Sequence, residues 1–333
     1  MPETVTLSIS AATDLIASAL RASDVSPANA LSVAKALVAA EVDGQSGHGF
    51  SRVAAYAAQA ASGKVSGHAA PLVTAPRTAL LHVDAGNGFA FPAVDAAINR
   101  LTVLAPETGI AGALISKSHH AGQIGAHVER LAEQGLVALM VANSPKAMAP
   151  WGGNAPLFGT NPIAFAAPRP GAAPLVIDLS LSKVARGKVM AANQRGQAIP
   201  EGWALDEQGN PTTNAAAALT GSMIPAGDAK GAALALMVEI LAASLTGANH
   251  SFEASSFFDA EGSPPGVGQM IIAIDAGAGP GFAGRLTTLL NAITGQDGTR
   301  LPGESRLVRR AQAAANGLQM SQDLHAKLSA MRG

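Results

Sequence analysis

The sequence predicts an α/β protein with helical ends. Three observations carry this: the first sixty or so residues read as helices, the middle alternates short apolar runs with amphipathic stretches, and the pattern from Phe282 onward is helical again. The chain has 333 residues, 48% of them hydrophobic and 14% charged, enough to bury a large core spread over roughly two domains' worth of sequence. Helices at both ends of a mixed centre predict discontinuous domains, with the last helices packed back on the first.

The N-terminal MPETVTLSISAATDLIASAL is an amphipathic stretch that carries acid where a secretory signal requires base, so a cytoplasmic protein is expected. Ser26 followed by Pro27 marks a helix start, and Leu31, Ala34, Val38 and Val42 give that helix an apolar face before Gly44 ends it. Residues 51–62 are helical and stop at Gly63. A strand over 80–83 and a helix over 92–104 follow. Next come a strand over 109–115, a helix over 123–134 and a strand over 136–142, a spacing that predicts a parallel crossover. The Pro- and Gly-rich interval 145–174 is too long for an idle turn, and Trp151, Phe158 and Phe165 argue against disorder, so a functional loop is expected. Beyond it lie a strand over 175–178, a helix over 183–193, a second loop over 196–228, a buried helix over 231–246 and a strand over 270–275.

Composition removes several function classes. Lys and Arg number 22 against 23 Asp and Glu, a formal net charge of -1, which offers no phosphate-neutralising excess for nucleic acid. Without cysteine there is no disulfide framework, thiolate zinc site, iron–sulfur cluster or thiol nucleophile. The apolar run 231–246 is interrupted by Glu239 and falls short of the ~20 residues a bilayer requires, so no membrane partner is expected. A charged fraction of 14% against about 25% in a typical domain predicts surface hidden in an oligomer.

Five constellations invite chemistry. Gly279-Pro280-Gly281-Phe282-Ala283-Gly284 is a formal G-x-G-x-x-G, but the acidic strand end that reads a ribose does not follow it, so it is taken as a loop. His119, His120 and His127 lack an acid at ligand spacing, so no metal is expected. Ser46 precedes His48 without the G-x-S-x-G nucleophile elbow. His48 and Arg52 are stronger: at the start of a helix their spacing puts imidazole and guanidinium on one face, one to move a proton and one to hold a carboxylate. The amides of Ala121, Gly122, Gln123 and Ile124 open the following helix, whose positive end suits a phosphate.

A longer series of motifs runs through the chain: Gly44 to Arg52 (GQSGHGFSR), Ser118 to Gly122 (SHHAG), Ala149 to Gly153 (APWGG), Phe158 to Pro162 (FGTNP), Val176 to Ser180 (VIDLS), Ala185 to Lys188 (ARGK), Ile199 to Ala204 (IPEGWA) and Gly209 to Thr213 (GNPTT). In order and over nearly the whole length, this series resembles the type-2 malate/L-lactate dehydrogenase family, which includes ureidoglycolate, diketogulonate and sulfolactate dehydrogenases and reductases of cyclic imino acids. The resemblance implies a mixed-sheet α/β fold of the malate/lactate dehydrogenase kind, not a Rossmann fold, with helical terminal segments. It also implies NAD or NADP as cofactor, a small carboxylate substrate and a homodimer.

By the same resemblance His48 is the proton donor, Arg52 binds the substrate carboxylate and Thr160 contacts substrate. Cofactor contacts would be His120, Ala121, Gly122, Gln123 and Ile124, then Asp178, Leu179 and Ser180, then Lys230, and finally Ser305 and Arg306. Two departures stand out: many members have Ser before the histidine where this chain has Gly47, which Ser46 or Ser51 could replace, and the imino-acid reductases carry an acid where Lys188 aligns. Lys188 is kept as a catalytic position on alignment; its charge favours a 2-oxo/2-hydroxy acid, whereas the chain length suits the imino-acid branch. Arg306, Arg309 and Arg310 could receive a 2'-phosphate or form a solvated face. The expected domains are 1–70 with 296–333, 71–115 with 225–295, and 116–224.

Overall fold

Capping chemistry sets the first helices. In the computed structural model, which describes residues 3–331, Ser8 and Ser26 accept hydrogen bonds from the amides of Ala11 and Asn29 and so start α1 (Ile9–Arg21) and α2 (Pro27–Val42), just after β1 (Thr4–Leu7). Then come α3 (Val53–Ala61), β2 (Leu72–Arg77), β3 (Leu80–Asp84), α4 (Ala90–Thr108), β4 (Ile110–Ser118), α5 (Ile124–Ala132), β5 (Leu136–Ala142), β6 (Ile163–Arg169), β7 (Ala172–Leu179) and α6 (Arg186–Gln194). The short β8 (Ala204–Leu205), β9 (Pro211–Thr212), α7 (Ala215–Thr220) and β10 (Ser222–Met223) precede α8 (Ala229–Glu239), β11 (Val267–Asp275), α9 (Phe282–Thr294), α10 (Glu304–Asn316), β12 (Leu318–Ser321) and α11 (Gln322–Ala330).

A seven-stranded mixed sheet, ordered β2-β3-β4-β11-β5-β6-β7, is the frame. Only β3 and β4 are parallel neighbours, joined across α4. Both β4 and β5 run antiparallel to β11, so the expected parallel relation of β4 and β5 holds, but with β11 inserted between them. Leu81, Ile98, Leu101, Ile115, Leu131, Met140 and Ile271 form the core on the face covered by α4 and α5. Leu114, Val141, Val189, Val238 and Met270 form a second core on the opposite face. A third gathers the termini: Leu15, Ile16, Val33, Leu37 and Tyr56 pack with Leu318, Met320 and Leu328, and β1 pairs with β12. The last helices do return to the first.

Several elements differ from expectation. The strands β1 and β12 sit in segments expected to be helical; four residues of pattern are too few to betray pairing between opposite ends of a chain. Inside the interval expected as a loop, β6 forms a hairpin with β7, and a register shift between Ala167 and Arg169 accommodates Pro168. Pro76 hid β2 in the same way, tolerated because β2 is an edge strand. The expected buried helix is α8 followed by a π-helical turn over Ile240–Ser244, and only one side of it is buried: Leu234, Leu236, Met237, Ile240 and Leu245 are 40–53% exposed.

Candidate active site

The His48/Arg52 segment is not the start of an α-helix. After α2 ends, Ser46–His48 and Phe50–Arg52 form two successive 3-10 turns, and α3 begins only at Val53. Glu41 at the end of α2 ties the turns down, accepting from Ser46 Oγ at 2.8 Å and from the Phe50 amide at 2.9 Å. A Cβ on Gly49 would collide with that carboxylate, which is why glycine separates the turns. Both side chains still reach one cleft.

Arg52 Nε donates to the Gly47 carbonyl at 2.7 Å, and the guanidinium lies 4.5 Å over the Phe258 ring. Its Nη1 is buried with no partner. His48 Nδ1 sits 3.2 Å from His120 Nε2, and His120 Nδ1 sits 2.6 Å from the Tyr56 hydroxyl. Neither serine near Gly47 serves His48, because Ser46 Oγ donates to Glu41 and Ser51 Oγ to the Ser46 carbonyl. His120 takes that role.

Burial, and then the nearby Arg52 charge, push the His48 pKa down to about 4. His120 is lowered well below the ordinary histidine value by burial first, then by Arg52, His48 and His119. The Tyr56 phenol is raised by burial. His119, packed against Tyr56, Phe89 and Phe257, is pushed down to about 3, and both its ring nitrogens lack partners. His48 and His120 thus line the cleft as neutral imidazoles beside the Arg52 cation, which has no carboxylate partner among the described residues.

Thr160 stands across the cleft, its amide donating to Ser144 Oγ at 3.2 Å. Its neighbour Asn161, at φ +39° and fully buried, donates to Glu239 Oε2 at 2.8 Å, and Ser251 Oγ donates to the same oxygen at 2.7 Å. Glu239, which interrupts the apolar run, thus anchors the loop that carries Thr160. Lys188 and Arg186 line the cleft from α6 and Arg195 from just beyond its end, and Ala121, Gly122, Ile124 and Ser180 also border this cavity of 890 Å³. That volume lies at the upper end for ligand sites, and cations beside small apolar residues suit an elongated anionic ligand.

The other expected contacts fall elsewhere. The Gln123 side chain turns away to donate to Asp43 Oδ2 at 2.9 Å. Asp178 accepts from the Gly125 amide at 2.8 Å, placing its own carboxylate at the positive end of α5, and Leu179 is 58% exposed. Lys230 and Ser305 are exposed and do not line the cleft. Of the arginines of α10, Arg306 and Arg310 are paired with carboxylates, and Arg309 is exposed. Arg306 Nη2 reaches Glu129 at 3.1 Å, Arg310 bridges Asp43 and Glu129 at 2.6 Å and 2.7 Å, and Arg309 donates to the Asp43 carbonyl. His127 Nε2 pairs with the Ala121 carbonyl, and among the described residues no three potential ligands gather for a metal ion. The Gly279–Gly284 motif lines a separate 450 Å³ cleft with Pro168, Arg169 and Pro170.

Sequence reasoning missed Tyr56, Glu41, Phe258 and the Asn161–Glu239 anchor. Tyr56 carried a usable signal: it is the only tyrosine in the chain and lies four residues after Arg52.

A family model described as malate/L-lactate dehydrogenase matches residues 7–329. The chain is 52% identical over 307 residues to (2R)-3-sulfolactate dehydrogenase (NADP(+)) of Chromohalobacter salexigens, covering 92% of each chain. It is 43% identical over 300 residues to the Delta(1)-pyrroline-2-carboxylate/Delta(1)-piperideine-2-carboxylate reductase of Pseudomonas syringae pv. tomato, covering 89% of this chain and 88% of that one. Among solved structures it resembles the delta1-piperideine-2-carboxylate reductase of the same organism, with a TM-score of 0.93, 41% identity and coverage of 98% and 100%. Sulfolactate dehydrogenase from Methanocaldococcus jannaschii is similar with a TM-score of 0.90, 26% identity and coverage of 98% and 96%.

Proposed function

The chain belongs to the malate/L-lactate dehydrogenase family, and from that premise we propose an NAD(P)-dependent oxidoreductase that moves hydride between nicotinamide and C2 of a small 2-oxo/2-hydroxy acid of the malate, lactate or sulfolactate kind. Arg52 carries this reading. A half-buried guanidinium whose enclosed Nη1 has no partner is costly until an anion completes it, and a carboxylate accepts its parallel N–H groups.

The dinucleotide, when bound, supplies or accepts the hydride. Arg52 holds the substrate carboxylate, which brings C2 beside His48. His48 gives a proton to the C2 oxygen during reduction and takes it back during oxidation. Thr160 faces the substrate from the opposite wall, and Lys188, Arg186 and Arg195 supply positive charge for cofactor phosphate or a second substrate anion. The contacts of Asp178, Leu179, Lys230, Ser305 and Arg306 with cofactor stand on the family resemblance alone.

A cyclic 2-imino acid is the second reading, favoured by the likeness to the pyrroline- and piperideine-2-carboxylate reductases. Arg52 would again hold the carboxylate, with a ring nitrogen in place of the oxygen. The cations of α6 weigh toward a substrate with two anionic groups. Absorbance of NADH and NADPH, followed with separate panels of 2-oxo acids and cyclic imines, decides: oxidation with 2-oxo acids is expected, imine-only activity selects the second reading, and no activity on either panel ends both.

Two further proposals concern assembly and place. The exposed apolar side of α8 is offered as the interface of a homodimer, since patches of this kind rarely stay in water, and light scattering on the purified protein tests it. Cytoplasmic location follows from the need for NAD(P), and cell fractionation tests it; no described helix is long and apolar enough to cross a membrane. In the three-part division proposed above, the cleft lies between the part carrying His48 and Arg52 and the part carrying His120, Thr160 and Lys188, which limited proteolysis would test.

A further inference from the structure

We infer that Tyr56 and His120 act behind His48 as positioning residues, fixing which of its nitrogens carries the proton and resupplying that proton after transfer. The inference rests on His48 being the proton donor. It assigns His120 a task other than cofactor contact and gives Tyr56 a role in the reaction.

The geometry is a chain of two hydrogen bonds leading inward from the cleft, Tyr56 Oη to His120 Nδ1 at 2.6 Å and His120 Nε2 to His48 Nδ1 at 3.2 Å. Its direction can be read from the inner end. Tyr56 is fully buried, its hydroxyl keeps its proton, and its partner is His120 Nδ1, so the phenol donates. A neutral imidazole that accepts at Nδ1 carries its proton on Nε2. His120 therefore donates to His48 Nδ1, and His48 in turn is left with its own proton on Nε2. That nitrogen has no protein partner and is not enclosed, so it is the one open to the cleft. Each proton in the chain is thus oriented toward the substrate before substrate arrives.

The same chain balances the transfer. Hydride arriving at C2 puts negative charge on the C2 oxygen. That oxygen takes the proton from His48 Nε2, His48 takes at Nδ1 the proton from His120 Nε2, and His120 takes at Nδ1 the phenolic proton. One O–H and two N–H bonds break, one O–H and two N–H bonds form, and the negative charge ends on the Tyr56 oxygen, where burial disfavours it and the Arg52 cation offsets part of that cost. After product leaves, a solvent proton entering at His48 Nε2 drives the shift back. The neutral histidines avoid placing a second cation beside Arg52 in a buried site.

Nitrogen-15 chemical shifts of the histidine rings test the direction in the unaltered protein. Protonated Nε2 is expected on both His48 and His120, and a proton on His120 Nδ1 overturns the inference with no variant involved. Tyr56→Phe, which keeps the ring packing, should lower kcat about 10-fold to 100-fold while leaving KM and NADPH binding by fluorescence within about twofold. The dependence of kcat on deuterium content should be curved in the wild type and linear in the variant. Unchanged kcat and an unchanged proton inventory in folded Tyr56→Phe overturn the inference. His48→Ala separates the two levels: with His48 as donor its turnover falls by about 10²–10⁴. Retained turnover there removes the donor assignment itself, whereas a dead His48→Ala beside a fully active Tyr56→Phe removes only the chain behind it.

Discussion

Two clusters of charge flank the end of α2, one around Asp43 and the other around His48, and they treat arginine in opposite ways. Around Asp43 and Glu129, both at most 5% exposed as side chains, Arg306 and Arg310 are matched by carboxylates at 2.6–3.1 Å. Around His48 the surroundings of Arg52 are neutral imidazoles, a phenol and an aromatic face, and among the described residues no carboxylate pairs with it. Both clusters use side chains that a sequence marks as candidates. The difference is countercharge: a cation paired with carboxylates holds structure, even though Arg306 Nε is itself without a partner, and a cation with no carboxylate waits for a ligand.

Substitutions can break that contrast. Arg52→Ala should lower kcat/KM by about 10²–10³, the cost of losing a charge-assisted bidentate contact, while the melting temperature stays level or rises because a half-buried cation without a carboxylate partner has gone. Steady-state kinetics with thermal melts checks this, and a large loss of stability would place Arg52 with the structural arginines.

Acid probes the histidines. His119 and His127 are buried and have pKa values pushed down to about 3 and about 4, below their ordinary value of 6.5. Folding therefore keeps them neutral where the unfolded chain would protonate them, so the stability is intact above about pH 6.5 and is lost as pH falls toward 4. At pH 5 the loss is roughly 2 kcal/mol for each ring, read as a lower melting temperature than at pH 7.5.

Arg310→Ala gives the converse of Arg52→Ala. Removing it leaves Asp43 and Glu129 short of charge, at a cost of about 3 kcal/mol, the low end for a broken buried pair because Arg310 is itself partly exposed. Denaturant melts should show that loss, with kcat/KM unchanged for the folded fraction. Gly47→Ser has the smallest effect, within about 0.5 kcal/mol, since no atom lies within 4 Å of a Cβ there and His48 already has its partner in His120. A large gain in kcat from this substitution would show that His120 fills the serine's place poorly.

What the sequence disclosed was local. The Ser26-Pro27 start and the apolar strand β5 stand as expected because cap chemistry and short periodicity act over a few residues. His48 and Arg52 were found by their spacing, although two 3-10 turns bring them together, not one helical face. The rest depends on distant pairings. His48 meets His120 across 72 residues, and Arg310 reaches Asp43 across 267, separations over which no pattern in the chain links the partners. The arginines of α10 were therefore legible as cations and illegible as structure. Glu239 is similar: a charge interrupting an apolar run shows that something must satisfy it, but not that Asn161 and Ser251 do.

The insertion of β11 bears on how the protein is made. On an emerging chain, β2-β3-β4 and β5-β6-β7 are complete long before residues 267–275 leave the ribosome, and each presents a bare hydrogen-bonding edge, β4 on one side and β5 on the other. The strand that joins them arrives only with the last fifth of the chain, so the two half-sheets must stay apart, or shielded, throughout most of synthesis. Nascent-chain solubility, as much as catalysis, is thus a demand on the sequences of those two edges.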